Sequence, residues 1–287
     1  MTDFDVDVKR LSASGSKRWE TCPASWTLRY AYGLPETGFN QEALNFGSWI
    51  HEVFELGINA NTTDVESLQQ IAMKIRNKYG DMGEKIELAE PAIANFSRWF
   101  TNLIDAGCEV VGTEVRFSHD LDGDDHVAFG SIDLVLHHPP SDRYFVVDFK
   151  TSKKATQERW LKDDTQMLLY ATIVQDLYGA KPSKIAVAHY LPHLDAQVKI
   201  EFTQRKLDSF RKRFVGRINL MREQGRLLDF KPNPLCDWCS YQEICPMMEA
   251  EPDVIEKVVK LGEEILQSGE NRKQAWHKIR KAGRFPV

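Results

Sequence analysis

Asp148 and Lys150 stand two residues apart in VVDFKTSK (146–153), inside a run that is otherwise apolar on entry. Strand side chains alternate, so these two share one face while Phe145, Val147 and Phe149 share the other. Burying an unpaired charge is costly, so such a pair is either a structural ion pair or the edge of a working site. Asp133 interrupts a second apolar stretch, GSIDLVL. The connector HPPSDR between the two suits a hairpin, and pairing about its midpoint sets Asp133 beside Asp148. Two carboxylates converging with a lysine have a definite use. Their oxygens bind Mg2+ or Mn2+, and the ammonium positions or activates a hydrolytic water. An inert buried Asp–Lys pair would look the same.

Other residues add to this set. His51 and Glu55 lie four apart in the helical stretch GSWIHEVFE and share a face. Position 55 is Glu rather than His, so the HExxH zinc-protease pattern is absent. Taken alone, a helical histidine is more often a structural hydrogen-bonding residue than a ligand. Gln166 and Tyr170 repeat the four-residue spacing in QMLLY, where an ordinary polar helix edge would read identically. Glu114, in GTEVRF, is a further strand carboxylate.

Five cysteines complete the reactive inventory, and a reducing compartment would keep them free of disulfides. CDWCSYQEICP spaces Cys236, Cys239 and Cys245 as C-x2-C-x5-C, one short of a four-ligand site. Cys108 falls between a helical run and a strand, where a buried thiol is ordinary. Cys22-Pro23 echoes Cys245-Pro246, and a proline after a ligating cysteine is familiar from cluster motifs, which favours Cys22 as the fourth ligand. Such a set holds structural zinc or a 4Fe–4S cluster, and spacing does not separate the two.

The elements that must position these groups follow from periodicity. The first third reads helical through SWTLRYAYG, QEALNFGSWIHEVFELGINA, VESLQQIAMKIRNKYG and IELAEPAIANFSRWFTNLIDAG. From Glu109 strands take over, EVVGTEVRFS, HVAFGSIDLVLH and RYFVVDFKTS, separated by the turn-rich LDGDD and HPPSD. QMLLYATIVQDLYG predicts a helix ended by Gly179, followed by strands KIAVAHYL and AQVKIEF. Residues 205–226 hold eight Lys/Arg against Asp208 and Glu223, with Leu207, Phe210, Phe214, Ile218 and Met221 at helical spacing. Their cationic face is either simply solvated or follows phosphates. After the cysteine-rich stretch, VIEKVVKLGEEILQSG and NRKQAWHKIRKAG read as a helical tail. The expectation is an α/β (α+β) fold, a mixed sheet flanked by helices in one domain over 1–287. Its parts are a helical 1–108, a core over 109–204 and additions over 205–287.

Composition sets outer bounds. With 287 residues, 42% hydrophobic and 10% aromatic, a substantial core is available. The net charge of −5 argues against a general nucleic-acid binder. No run approaches a membrane span and the N-terminus lacks a signal pattern, which predicts a cytoplasmic protein with no membrane contact. No GxxxxGK[ST] loop is present, so any unwinding would come from a partner.

GSWIHEVFE, the Glu114 strand, GSIDLVL, DFKTSK and QMLLY occur in the order found in the RecB-like branch of the PD-(D/E)xK nuclease superfamily, which the sequence resembles over roughly residues 10 to 250. The resemblance implies a restriction-endonuclease-like core with His51, Asp133, Asp148 and the Phe149 carbonyl as ligands of Mg2+ or Mn2+. It implies Lys150 as the residue that orients or deprotonates water, with Gln166 and Tyr170 near the scissile phosphate and Glu55 and Glu114 as additional site residues. Asp148 departs from the Glu of many members, and its shorter reach leaves the number of metals open. One early cysteine and a later C-x2-C-x5-C set resemble the iron–sulfur subset, which includes CRISPR-adaptation exonucleases and AddB-type nuclease subunits. This implies a 4Fe–4S cluster on Cys22, Cys236, Cys239 and Cys245. The expected activity is a metal-dependent DNA exonuclease acting in repair or recombination and favouring single-stranded ends, with Arg211, Lys212, Arg213 and Arg217 on the DNA backbone. Replication, recombination or CRISPR-adaptation proteins are the expected partners. The rivals are a structure-specific endonuclease with the same site and a non-catalytic DNA- or partner-binding module.

Overall fold

The computed structural model describes residues 8, 10–34, 36, 41–225, 228–245 and 247, with isolated positions 256, 260 and 264. The sequence patterns VIEKVVKLGEEILQSG and NRKQAWHKIRKAG thus lie outside the continuously described residues. The chain divides into two compact units, Met1–Phe39 with Gly216–Val287, and Asn40–Val215. Residues 40–108, helical in the sequence reading, belong to the same unit as the strands. Among the described residues no helix is long and apolar enough to cross a membrane.

In the first unit a two-residue strand, β1 (Arg10–Leu11), leads into α1 (Ala13–Thr21), whose Ser12 cap accepts a hydrogen bond from the Gly15 N–H at 3.1 Å. Pro23 opens the short α2 (Pro23–Trp26), and a π-helical turn continues it over Thr27–Ala31. The helical reading of SWTLRYAYG therefore holds in type but not in pitch. The segment after residue 228 folds back onto these turns. Ala24 N–H donates to the Asp229 carbonyl at 2.9 Å, and the Asn233 amide donates to the Thr21 carbonyl at 3.2 Å.

The second unit carries the sheet β2 (Glu109–Asp120), β3 (Val127–His138), β4 (Arg143–Phe149), β5 (Ile185–Leu191) and β6 (Ala196–Glu201), hydrogen-bonded in that order. Every junction is antiparallel except β4–β5, which is parallel. A parallel neighbour requires a crossover, supplied by α7 (Thr165–Tyr178) after the short α6 (Glu158–Leu161). The interior strand β5 is buried along its whole length, which is why it reads as a nearly unbroken apolar run. The edge strand β6 alternates instead.

One face of the sheet is covered by α3 (Gln41–Asn59), α4 (Val65–Ile75) and α5 (Ala89–Asp105). Phe46, Trp49, Ile50, Val53 and Phe54 recur at helical spacing on α3 and bury there. Phe54 and Phe96 stack with ring centroids 3.9 Å apart, and Phe149 meets both edge-on at 5.3 and 5.8 Å. Leu134, Leu136, Val147, Phe149 and Tyr190 face this core. Strand alternation then sends Asp133, Asp148 and His189 to the opposite face. Phe149 is thus an anchor whose side chain fixes the strand end that presents Asp148 and Lys150. Truncating it to alanine would cost about 3–5 kcal/mol.

Candidate active site

The β3–β4 register pairs Leu134 with Val147, and one further step places Asp133 beside Asp148. The Phe149 N–H donates to Asp133 Oδ2 at 2.7 Å, locking one carboxylate against the neighbouring strand. Lys150 Nζ lies 2.6 Å from Asp148 Oδ2 and donates to Gln166 Oε1 at 3.2 Å. Gln166 sits in the first turn of α7, where Asp164 caps the helix by accepting from the Gln166 and Met167 N–H groups. The Gln166 amide donates to Tyr170 Oη at 2.8 Å, and Tyr170 in turn donates to the Ser131 carbonyl at 2.5 Å. The tyrosine proton being committed to Ser131, the Gln166 amide must turn its nitrogen to Tyr170 and its oxygen to the ammonium.

Ser131 also donates its hydroxyl to Glu114 Oε2 at 2.8 Å, extending the network to β2. Glu114 itself has φ +45°, a left-handed backbone that costs a non-glycine residue of order 1–3 kcal/mol. The flanking pairs Thr113–Leu134 and Val115–Ile132 stay in register, so the strain is confined to the residue whose carboxylate joins the site. From α3, His51 Nδ1 approaches Asp133 Oδ2 at 3.5 Å. His51, Glu114 and Asp133 each place a donor atom within 4.8 Å of the others, a spacing that can hold a metal ion. The Phe149 main chain also hydrogen-bonds His51. Glu55 is outside that trio, one helical turn beyond His51, with its pKa raised first by burial and then by Glu114.

Burial dominates the electrostatics. It pushes Asp133 up to about 7, with the Phe149 N–H opposing and Glu114 reinforcing the shift. It pushes Asp148 up to about 7 as well, against the pull of Lys150. His51 is lowered from 6.5, chiefly by burial, which keeps its imidazole neutral and able to act as a ligand. The site thus holds two carboxylates for which one lysine is insufficient compensation.

Two participants were missed by the sequence reading. His189 pairs directly with Asp148 across the parallel junction, its Nε2 3.7 Å from Asp148 Oδ2, with both side chains buried. A single imidazole in the apolar run IAVAHYL was the available signal. Ser131 gave only a small polar residue before Asp133. The basic helix behaves differently. On α8 (Gln204–Gln224), Arg211 pairs with both oxygens of Asp176 at 2.7 and 2.8 Å and donates to the Leu121 carbonyl. Arg217 is held by Ser16 and Glu20, while Lys212 and Arg213 are exposed.

Cys236, Cys239 and Cys245, chosen by spacing, and Cys22, chosen by its Cys-Pro step, all line one cavity of about 350 Å³ in the first unit, together with Lys17, Arg18 and Lys231. Burial raises the Cys239 and Cys245 thiols, and the neighbouring cysteine sulfurs raise them further. The main chain at Tyr241 and at Met247 opposes this for Cys239 and Cys245 respectively. The Asn233 N–H donates to Cys236 Sγ at 3.3 Å. Cys108 is elsewhere, buried in the core against the sheet.

A family model described as the PD-(D/E)XK nuclease superfamily matches residues 10–246. The chain belongs to that superfamily. PD-(D/E)XK nucleases use divalent metals, and the His51–Glu114–Asp133 group is spaced so that it could bind one. Among solved structures, this nuclease is similar in fold to a provisionally assigned exonuclease from Eubacterium rectale. The TM-score is 0.51 at 16% identity, over 87% of this chain and 92% of that one. A second structure, that of SSO0001, aligns at a TM-score of 0.41 and 15% identity over 84% and 87% of the two chains. No curated protein matches the sequence.

Proposed function

We propose that the protein is a metal-dependent DNA exonuclease that hydrolyses phosphodiester bonds from single-stranded ends and carries a structural 4Fe–4S cluster. The observation that carries the nuclease reading is the convergence of Asp133, Asp148, Lys150 and Gln166 on one sheet face, linked by hydrogen bonds to Tyr170, Ser131 and Glu114. The donors fit a hard divalent cation: buried carboxylates whose pKa values rise for want of positive charge, beside a neutral imidazole. Asp133, Asp148, His51, Glu114 and the Phe149 carbonyl would hold Mg2+ or Mn2+. Such an ion supplies positive charge against the scissile phosphate and acidifies water.

The chain's own groups do the rest. Lys150, held between Asp148 and Gln166, has one direction left in which to donate, and it steers the attacking water in line with the leaving oxygen. Gln166 and Tyr170 fix that direction by fastening the ammonium to α7 and, through Ser131, to β3. Asp148 and Tyr170 are buried, and the low dielectric around them strengthens the interactions that they make. Exonuclease action is suggested by the RecB-like motif order and by the exonuclease name of the Eubacterium rectale protein, and preference for single strands rests on the RecB-like resemblance alone. Lys212 and Arg213 remain available for DNA phosphates, while Arg211 and Arg217 would have to leave carboxylate partners to bind them.

The cysteine cavity supports the cluster. Cys22, Cys236, Cys239 and Cys245 line one cavity, so a single group can draw on all four thiols. N–H donors aimed at sulfur also suit iron–sulfur ligation. The deciding experiment compares linear and covalently closed single-stranded DNA with Mn2+, using anaerobically purified protein. Degradation of linear DNA alone is expected, and cleavage of closed circles would instead establish an endonuclease.

A further inference from the structure

Lys150 leaves β4 and Gln166 opens α7, and the two side chains meet at 3.2 Å. The intervening segment 151–164 therefore departs from the site and returns to it. It is not a loose excursion. Leu161 is fully buried, the Asp164 N–H donates to the Leu161 carbonyl at 3.1 Å, and Lys206 pairs with Asp163. Yet this anchored element holds Trp160 out in solvent, 64% exposed, with the Arg159 guanidinium 5.1 Å from its ring centroid.

An exposed indole on a fixed element contributes little to folding, because its apolar area is not removed from water. Its surroundings suggest another use. Lys162 pairs with Glu158 at 2.9 Å and Asp163 is taken by Lys206, so the segment's acidic groups are spent internally. Lys153, Lys154 and Arg159 are exposed and form no ion pair among the described residues. A flat aromatic face flanked by unneutralised cations is the pairing that binds single-stranded nucleic acid, bases on the ring and phosphates on the charges. Trp160 is six residues from Gln166, at most about 20 Å of chain, so the platform lies within a few nucleotides of Lys150.

We propose that segment 151–163 is the docking surface for the strand entering the site, with Trp160 stacking on a nucleobase and Lys153, Lys154 and Arg159 meeting phosphates. This rests on the nuclease reading for its occupant, single-stranded DNA, but can be tested apart from it. Binding of a fluorescein-labelled single-stranded oligonucleotide is measured by anisotropy in Ca2+, and hydrolysis separately in Mn2+. Trp160→Ala is expected to weaken binding about 5- to 100-fold and to raise KM by a similar factor, with kcat falling less than twofold. Trp160→Phe should recover most of the loss, and Lys153→Gln with Lys154→Gln should lower the slope of log affinity against log salt by about 1.4. Unchanged affinity in Trp160→Ala, or equal weakening for blunt duplex and single strand, overturns the proposal. Weakened binding in Trp160→Ala, with a wild-type protein that cuts no DNA in Mn2+, sustains the surface and removes the nuclease reading instead.

Discussion

The carboxylate site and the cysteine cavity both concentrate groups that are costly to charge, but they assemble them from different lengths of chain. In the sheet, register does the gathering: Asp133, Asp148 and His189 are neighbours because three strands are hydrogen-bonded side by side. The ladder persists whatever those side chains are. In the cavity, Cys22 meets Cys236, Cys239 and Cys245 because the segment after residue 228 returns to the first helices, through one main-chain hydrogen bond with Ala24 and side-chain bonds from Asn233 and Tyr241. A cofactor bound in the sheet is therefore a passenger on existing structure, whereas one bound by the cysteines supplies much of the tie itself.

Breaking each site should expose that asymmetry. Asp133→Asn or Asp148→Asn is expected to lower Mn2+-dependent hydrolysis of end-labelled DNA by at least about a thousandfold, and Lys150→Ala by about a hundredfold to ten-thousandfold, with the circular dichroism spectrum intact. Near wild-type rates in the lysine variant would show that another group handles the water. Cys236→Ser or Cys239→Ser should remove an absorbance near about 400 nm and lower Tm by several degrees, with more susceptibility to proteolysis. A colourless wild-type protein with stoichiometric zinc would refute the cluster while leaving the tie.

The pH response sharpens the contrast further. Asp133 and Asp148 are raised to about 7 from 3.8, so in metal-free protein their contribution to stability is full below pH 3.8 and is lost as pH rises through 7. Thermal melts without metal should show Tm falling between pH 5.5 and 8, less steeply in Asp148→Asn. Added Mn2+ should restore Tm at pH 8 and do little at pH 5.5, because the cation needs the deprotonated carboxylates. The smallest expected effect is at His189, which acts through Asp148. His189→Leu should weaken Mn2+ binding about 10- to 100-fold by titration calorimetry, and His189→Gln should recover part of it. Identical affinities in the two variants would reduce His189 to packing.

How much of this was legible depends on which periodicity was involved. A period of two placed Asp148 and Lys150 on one face, and the short hairpin connector pointed to the Asp133 pairing, whose register only the β3–β4 ladder fixes. The period of 3.6 placed Gln166 and Tyr170 together. Gly179, at φ +64°, ends α7 where the sequence reading ended it. Parallel register was not legible, because the crossover leaves the alignment of β4 and β5 unconstrained by any turn, and so His189 was not paired with Asp148. Nor was the fate of Arg211 visible, since Asp176 is a partner chosen by packing rather than by spacing.

Tyr170 reads a peptide oxygen, not a side chain, at position 131. Any amino acid there still presents that oxygen, so the aim of the lysine is inherited from the ladder and survives point substitution at that residue. Natural variation can prune the link to Glu114 without unsettling the link to Gln166. The sheet thus lends one half of the network a permanence that no hydroxyl could give it.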